Sequence, residues 1–425
     1  MRVICFCNST LAWGGGEKWH FETACALARR GWRVYLLCHP EGALYRRAAG
    51  EGSFTLLPLA IGRLSFLNPF THLKLAHLFR RLAPHAVIMN LPSDLKCVAP
   101  AARKANVPHI VYRRGSALPV KNSLLNRHLL GTVITRLIAN SEATKRMVLA
   151  EDRTIIPESR ITVIPNGVDI PAFYVALRSA SPLWLPAEPT APNTPAEAPA
   201  LPEIPAQKPI VIGNAGRLNR QKGQHMLILA GAQLAQMDVP FHLLIAGEGE
   251  RLDELQNLAR AAGIEERVTF TGFMKDLAPF WKSIDVFALT SLWEGFGFVA
   301  AEAMLAHKPV LAFGVSNLPE MIENGKNGYL FPLPENAEPA SLLVDDAPAA
   351  SGNAQQTPAQ GQTPRKRLSP EAEELMHELT PLCESLARLA ESEDERWRLG
   401  AEGRQRVEAR YGLEKALDRL EAILQ

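Results

Sequence analysis

The sequence predicts an α/β protein made of two doubly wound parallel-sheet domains joined by an extended linker. Three observations carry this. The chain has 425 residues, enough for two domains that each bury a core. Short apolar runs alternate with helix-like stretches along its length, as expected for strands buried on both faces by crossover helices. A Pro/Ala-rich stretch then splits that pattern in two, and such a stretch can neither bury apolar area nor sustain a hydrogen-bond ladder. The resulting division is 1–175, linker 176–208 and 209–425.

Taken in order, "RVICFC" reads as a first strand with Cys5 and Cys7 on one side, followed by a glycine turn. "EKWHFETACALARRG" follows with apolar positions at helical spacing and a stopping glycine. "WRVYLLC", "AVIMN", "HIVYRR", "RLIANS" and "ITVIPNG" continue the first sheet. After the linker "PIVIGNAGRLNRQKG" restarts the strand-turn-helix order, and "HLLIAGEGE", "RVTFTGF", "VFALTS" and "KPVLAF" extend it. A second low-complexity stretch, 333–370, lies inside the second domain and reads as a disordered surface insertion. Amphipathic helices close the chain, ending in "RYGLEKALDRLEAILQ".

Composition narrows the function. No run approaches the roughly 20 apolar residues of a membrane span, and the start reaches a glycine turn before a signal-peptide core could finish. A cytoplasmic protein is expected. Six cysteines without C-x-x-C spacing read as buried reduced thiols rather than a disulfide framework or zinc site. The net charge of +2 conceals an asymmetry: residues 1–170 carry 23 Lys and Arg against 10 Asp and Glu, a net of +13, and the remainder carries −11. A basic first half attracts anionic ligands, whether phosphorylated glycans, membrane headgroups or nucleic acid.

The chemistry centres on "WEGFGFVAAEAM", residues 293–304. Its Gly295, Gly297 and Ala300 fit the loose dinucleotide fingerprint, which also needs an acid at the end of the next strand to hold a ribose. That strand, "KPVLAF", ends in Gly314 and Val315, so hydride transfer is disfavoured. Read instead as a ligand seat, Gly295 and Gly297 let the backbone approach closely, and a helix starting near Phe298 and Val299 aims free amides at a phosphate. Glu294 and Glu302, placed beside that phosphate, suit the hydroxyls of a sugar and a ribose. A capping role for Glu294 and a solvated Glu302 are the bland alternative. "GRLNRQKG" adds Arg217, Arg220 and Lys222 as counter-charges.

"GRLNRQKG", "LLIAGEGE", "VTFTGF", "EGFGFVAAEAM" and "PVLAF", in that order, resemble the retaining glycosyltransferases of family 4. "GGGE", "ANSEATKRMV" and "VIPNGVD" extend the resemblance, more loosely, into the first domain. It implies the GT-B fold, two Rossmann-like domains facing a central cleft with C-terminal helices, a donor held mainly by the second domain and an acceptor mainly by the first. Carried over by position, Arg217 and Lys222 stabilise the leaving diphosphate, Glu302 holds the ribose and Glu294 contacts the transferred sugar. Phe273 and Met274 line the base, and Gly15 and Gly16 close over the diphosphate as the domains shut. Glu17 reads as a first-turn helix acid.

The resemblance further implies a same-face attack by the acceptor, without a protein nucleophile. The chain has no D-x-D, no H-E-x-x-H and no ligand-spaced histidines, so neither metal nor cofactor is expected and the nucleotide-diphosphate sugar serves as co-substrate. One departure stands out: where many members have a histidine after a first-domain strand, this chain has Arg113 and Arg114. They suit an anionic acceptor or the donor, with a solvated strand end as the alternative. The expected function is transfer of a hexose or heptose to a lipid-linked or phosphorylated envelope glycan such as lipopolysaccharide core, with peripheral attachment at the inner membrane and no nucleic acid partner. Competing readings are an epimerase or sucrose-type synthase of the same fold, and a non-catalytic module that binds polyanions.

Overall fold

The computed structural model describes residues 2–62, 64–183, 208–345 and 366–425, so the greater part of both low-complexity stretches lies outside the described residues. The first sheet has seven parallel strands: β1 (Val3–Asn8), β2 (Arg33–Cys38), β3 (Thr55–Pro58), β4 (Ala86–Met89), β5 (His109–Arg114), β6 (Arg136–Ala139) and β7 (Ile161–Val163). They are ordered β3-β2-β1-β4-β5-β6-β7. The second has six: β8 (Ile210–Ala215), β9 (Phe241–Ala246), β10 (Val268–Gly272), β11 (Val286–Leu289), β12 (Val310–Phe313) and β13 (Tyr329–Phe331), ordered β10-β9-β8-β11-β12-β13. The chain doubles back beside β1 and β8, which opens a crevice at the carboxyl ends of β1 and β4 and another at those of β8 and β11.

The strand sequences explain the layers. In β1 Cys5 and Cys7 enter one apolar cluster while Ile4 and Phe6 enter the other, the two-residue alternation of a strand covered on both faces. β4, β11 and β12 are buried along their whole length, which is why they read as unbroken apolar runs. The six cysteines are free thiols, five of them buried.

Three boundaries differ from the sequence expectation. Helix Ile170–Ser179, started by the Asp169 cap, continues past the expected domain end at 175, where Leu177 follows Phe173 and Tyr174 in packing on the core. The stretch 333–370 is ordered at both described ends: Ala337 and Leu342 are buried, and β14 (Leu343–Asp345) pairs antiparallel with β15 (Lys366–Leu368). Finally, the last helix does not stay with the second domain. Helices Pro370–Glu378 and Thr380–Glu391 pack there through Leu375, Leu382, Cys383 and Leu386. Helix Leu413–Ile423 crosses back and buries Leu413, Leu417 and Leu420 in a cluster shared with Ile4 and Leu27.

Charge fixes that last docking. Arg30 meets Glu414, Asp418 (2.8 Å) and Glu421, and Trp32 Nε1 donates to Glu421 at 2.6 Å. Removing the cation leaves three carboxylates on one helix face with no counter-charge. Arg30→Gln is expected to cost about 1 kcal/mol, as partly exposed pairs do, and to speed proteolytic release of residues beyond 410. Unchanged proteolysis of the C-terminal segment would contradict this docking.

Candidate active site in the interdomain cleft

The second-domain wall is built from the turns after β8 and β11. Gly223, at φ +59°, closes the first turn; a Cβ there would lie 2.1 Å from the Thr290 carbonyl oxygen, so the two turns meet backbone to backbone. This contact brings Lys222 beside Glu294. Lys222 Nζ lies 2.6 Å from Glu294 Oε1, which also accepts from Ser291 Oγ at 2.6 Å, and both side chains are largely buried. Gly297, at φ +78°, turns the chain into helix Phe298–Leu305, whose N-terminus has no side-chain cap. No side chain takes its first-turn amides, although that of Ala300 donates to the Gly297 carbonyl at 2.9 Å.

The first-domain wall starts where β1 ends. Helix Gly15–Arg29 also has a glycine, Gly14, in place of a capping side chain. A Cβ on Gly15 would lie 3.4 Å from the Phe298 ring, and one on Gly16 would lie 2.6 Å from Asn90 Nδ2. The two glycine-led helix N-termini therefore face each other across the cleft. Glu17 sits in the first helical turn, buried, and accepts from Asn8 Nδ2 at 2.9 Å.

The domains touch through specific bonds. Asn140 Nδ2 donates to the Gly295 carbonyl at 2.8 Å and to that of Gly115 at 3.1 Å. Glu320 accepts the backbone N–H groups of Glu142 (3.0 Å) and Ala143 (2.7 Å), so a second-domain carboxylate caps a first-domain helix. Lys18 Nζ bonds Glu302 and lies 4.9 Å from the centre of the Phe298 ring. Burial works against the charge on Lys18, but Glu302 and Glu22 prevail and hold its pKa above the usual lysine range. Burial raises the neighbouring Glu22 to about 7, with Lys18 opposing.

A cavity of about 630 Å³ opens in the first-domain wall, lined by Gly14–Glu17, Asn90, Lys96, Arg113, Arg114 and Leu118–Lys121, and Arg217 reaches its edge from the second domain. The alternative of a solvated strand end does not hold at Arg113. This side chain is 2% exposed, donates to Asn90 Oδ1 (2.6 Å) and Asn166 Oδ1 (2.7 Å), and stacks 4.4 Å from the Trp19 ring centre. Burial lowers its pKa to about 10, with Glu17 partly opposing. Arg114 differs: its Nη2 holds the carbonyls of Leu118 (2.8 Å) and Pro119 (3.3 Å) and so braces the loop that walls the cavity.

The sequence-derived candidates thus divide. Gly15, Gly16, Arg113, Arg114 and Arg217 line one cavity. Lys222, Glu294, Gly297, Phe298, Val299 and Glu302 follow one another on the facing turns. Phe273, 62% exposed, and the half-buried Met274 lie beyond β10, with the Phe273 N–H on Glu248. Arg220 turns away to pair with Glu338 at a different pocket. Sequence reasoning missed Lys18, Asn140 and Glu320, each of which acts on the opposite domain. It also missed Asp94, which is buried, accepts from both the N–H and hydroxyl of Ser9, and is raised to about 7 by burial, those hydrogen bonds opposing. Among the described residues no three His, Cys, Asp or Glu side chains are grouped to hold a metal ion, and no helix is long and apolar enough to cross a membrane.

Two family models match: "Glycosyltransferase Family 4" over residues 13–171 and "Glycosyl transferases group 1" over residues 201–353. Among curated relatives, the D-inositol 3-phosphate glycosyltransferase of Arthrobacter is 31% identical over 227 residues, 52% of this chain and 49% of that protein. The lipopolysaccharide core biosynthesis glycosyltransferase LpsE of Rhizobium meliloti is 34% identical over 128 residues, 30% of this chain and 36% of that protein. The chain thus spans about half or less of the length of these relatives. In three dimensions it resembles Anabaena HepE, solved in complex with UDP and glucose, with TM-score 0.69 and 21% identity over 100% of this chain and 99% of that one. With both wall-forming halves matched in order and the two-sheet architecture shared, the chain belongs to the family 4, group 1 glycosyltransferases of GT-B fold.

Proposed function

We propose that the protein is a retaining glycosyltransferase that moves a hexose or heptose from a nucleotide-diphosphate sugar onto a lipid-linked or phosphorylated envelope glycan such as lipopolysaccharide core. The observation that carries this reading is the convergence of two uncapped, glycine-led helix N-termini with Lys222 and Arg217 on one cleft. A dianionic linker fits between such amides and cations. Family membership, the UDP and glucose in HepE and the lipopolysaccharide role named for LpsE support the donor and acceptor classes.

In this reading the diphosphate lies between Gly15–Gly16 and Gly297–Val299. Glu294, whose Oε2 has no protein partner among the described residues, accepts from a hydroxyl of the transferred sugar. Glu302 takes the ribose diol by releasing Lys18. The exposed Phe273 face and Met274 flank the base. As the anomeric C–O bond lengthens, negative charge grows on the departing phosphate oxygen, where Arg217, Lys222 and the helix amides stabilise it. The acceptor hydroxyl attacks the same face, its oxygen bonds the anomeric carbon and its proton passes to that phosphate oxygen. Arg113, fixed by two asparagines, presents its charge to the acceptor cavity. The cations occupy the role a divalent ion fills elsewhere, so the protein needs no cofactor, and it works at the cytoplasmic face of the inner membrane.

Glu294→Gln keeps the shape of the turn and is expected to lower kcat by about 10²–10³-fold, while donor KM changes little; a split in the opposite sense would contradict a sugar-contacting role. Lys222→Ala strands the buried Glu294 carboxylate, so loss of activity should come with a stability loss of about 3–5 kcal/mol, read as a lowered Tm. Glu302→Ala should raise donor KM about tenfold and leave kcat close to its starting value. Transfer should survive an excess of EDTA; inactivation restored by a divalent ion would refute the metal-independent reading.

A further inference from the structure

The charge asymmetry of the first domain is concentrated in one stretch. Between residues 52 and 141 the sequence has twelve Lys and Arg and a single acid, Asp94. That acid is fully buried and bonded to Ser9, so it does not offset the surface. Within this stretch lie two exposed apolar segments, Leu64–Leu73 and Leu118–Leu125. They include Leu67 (66% exposed), Phe70 (73%) and Leu124 (87%).

These side chains are held outward rather than loosely disposed. Helix Pro69–Leu82 buries Leu75, Ala76 and Phe79, leaving Phe70, Leu73, Lys74, His77, Arg80 and Arg81 on the opposite stripe at helical spacing. Its exposed face is thus apolar at one end and cationic at the other. Asn68 caps the helix (Phe70 N–H at 2.9 Å), and His72 Nε2 lies 2.8 Å from the Phe66 carbonyl, fixing the preceding turn. The second segment is held by Arg114 on Leu118 and by Ser123, which caps the helix carrying Leu124. Both segments flank helix Pro92–Lys104: Lys96 Nζ is 5.2 Å from the Phe66 ring centre, and Val120 is buried with Leu95 and Val98. Lys96 and Leu118–Lys121 also line the cleft cavity.

We infer that residues 64–73 and 118–125 form a docking surface for an anionic phospholipid bilayer, with the mouth of the cleft cavity facing the lipid. Apolar side chains enter the acyl boundary while Lys74, Arg80, Arg81 and Lys121 meet the headgroups; the carboxylates beside the second segment are Glu151, bonded to the Asn122 N–H at 3.0 Å, and Asp152, paired with Arg127. Exposed apolar segments on either side of one helix mark an interaction surface, and their cationic frame selects a negatively charged one. The orientation rests on the proposed reading of the cavity as the acceptor site; the bilayer contact itself does not. A lipid-linked acceptor would then present its head to Arg113 without leaving the membrane.

The test is co-sedimentation of the full chain with phosphatidylglycerol-containing vesicles and with phosphatidylcholine vesicles, together with the melting shift caused by UDP, GDP and ADP. Binding is expected only to the anionic vesicles, and to fall as salt rises. The exposed double variants Leu67→Ser with Phe70→Ser, and Lys74→Glu with Arg81→Glu, should each weaken it about tenfold while leaving the nucleotide shift unchanged. No binding to anionic vesicles, or binding indifferent to the Leu67 and Phe70 changes, overturns the proposal. So does a concentration-dependent dimer dissolved by those changes, or duplex nucleic acid bound in preference to lipid. Failure of the nucleotide shift alone would count against the donor reading and leave the surface standing.

Discussion

The buried contact between Lys222 and Glu294 is the constraint around which the cleft is arranged. A carboxylate out of water needs a partner, since the desolvation cost of an isolated charge is several kcal/mol. Glu294 has two partners on one oxygen, Lys222 and Ser291. To bring the lysine there, the turn after β8 must touch the turn after β11, which Gly223 permits by leaving no Cβ against Thr290. That same packing sets where Gly297 releases helix Phe298–Leu305 and where its amides point. The positions of cation, carboxylate and helix dipole therefore follow from one local fit.

The second constraint is the seam between the domains, formed mainly by backbone groups. The Gly295 carbonyl is bonded by Asn140, and the amides at Glu142 and Ala143 are bonded by Glu320. A Cβ on Gly295 would lie 2.5 Å from the Gly115 carbonyl oxygen, so even alanine would hold the walls apart. Lys18 on Glu302 adds an ion pair that joins the walls. The C-terminal helix provides a second tether, anchored by Arg30 on the first domain. Together these contacts limit how the two sheets can move against each other, and they leave the first-domain cavity beside Arg113 open, with Arg217 at its edge.

Much of the architecture could be read from the sequence, because a parallel strand covered on both faces leaves an unmistakable apolar run: "AVIM" and "VFAL" are β4 and β11. The glycine turns were legible for the same reason, since Gly297 and the Gly14–Gly16 run stand where a side chain would block approach. What stayed hidden was long-range. Nothing near Lys18 announces a carboxylate 284 positions away, and nothing near Glu320 announces the amides of Glu142 and Ala143 that it holds. Arg113 could be singled out from its strand-end position, but its holders Asn90 and Asn166, distant in sequence, could not. The last helix carries a plain amphipathic pattern, and no pattern states which domain its apolar stripe will meet.

A nucleotide diphosphate bound as proposed occupies the seat between the two glycine-led helices. Hydrogen–deuterium exchange of the intact chain, with and without a saturating nucleoside diphosphate whose binding has been established by calorimetry, tests this directly. Protection should concentrate in three separate segments, 14–18, 216–223 and 294–300, which only the folded cleft brings together. A nucleotide that binds while leaving all three unprotected would place the diphosphate elsewhere and contradict this seat.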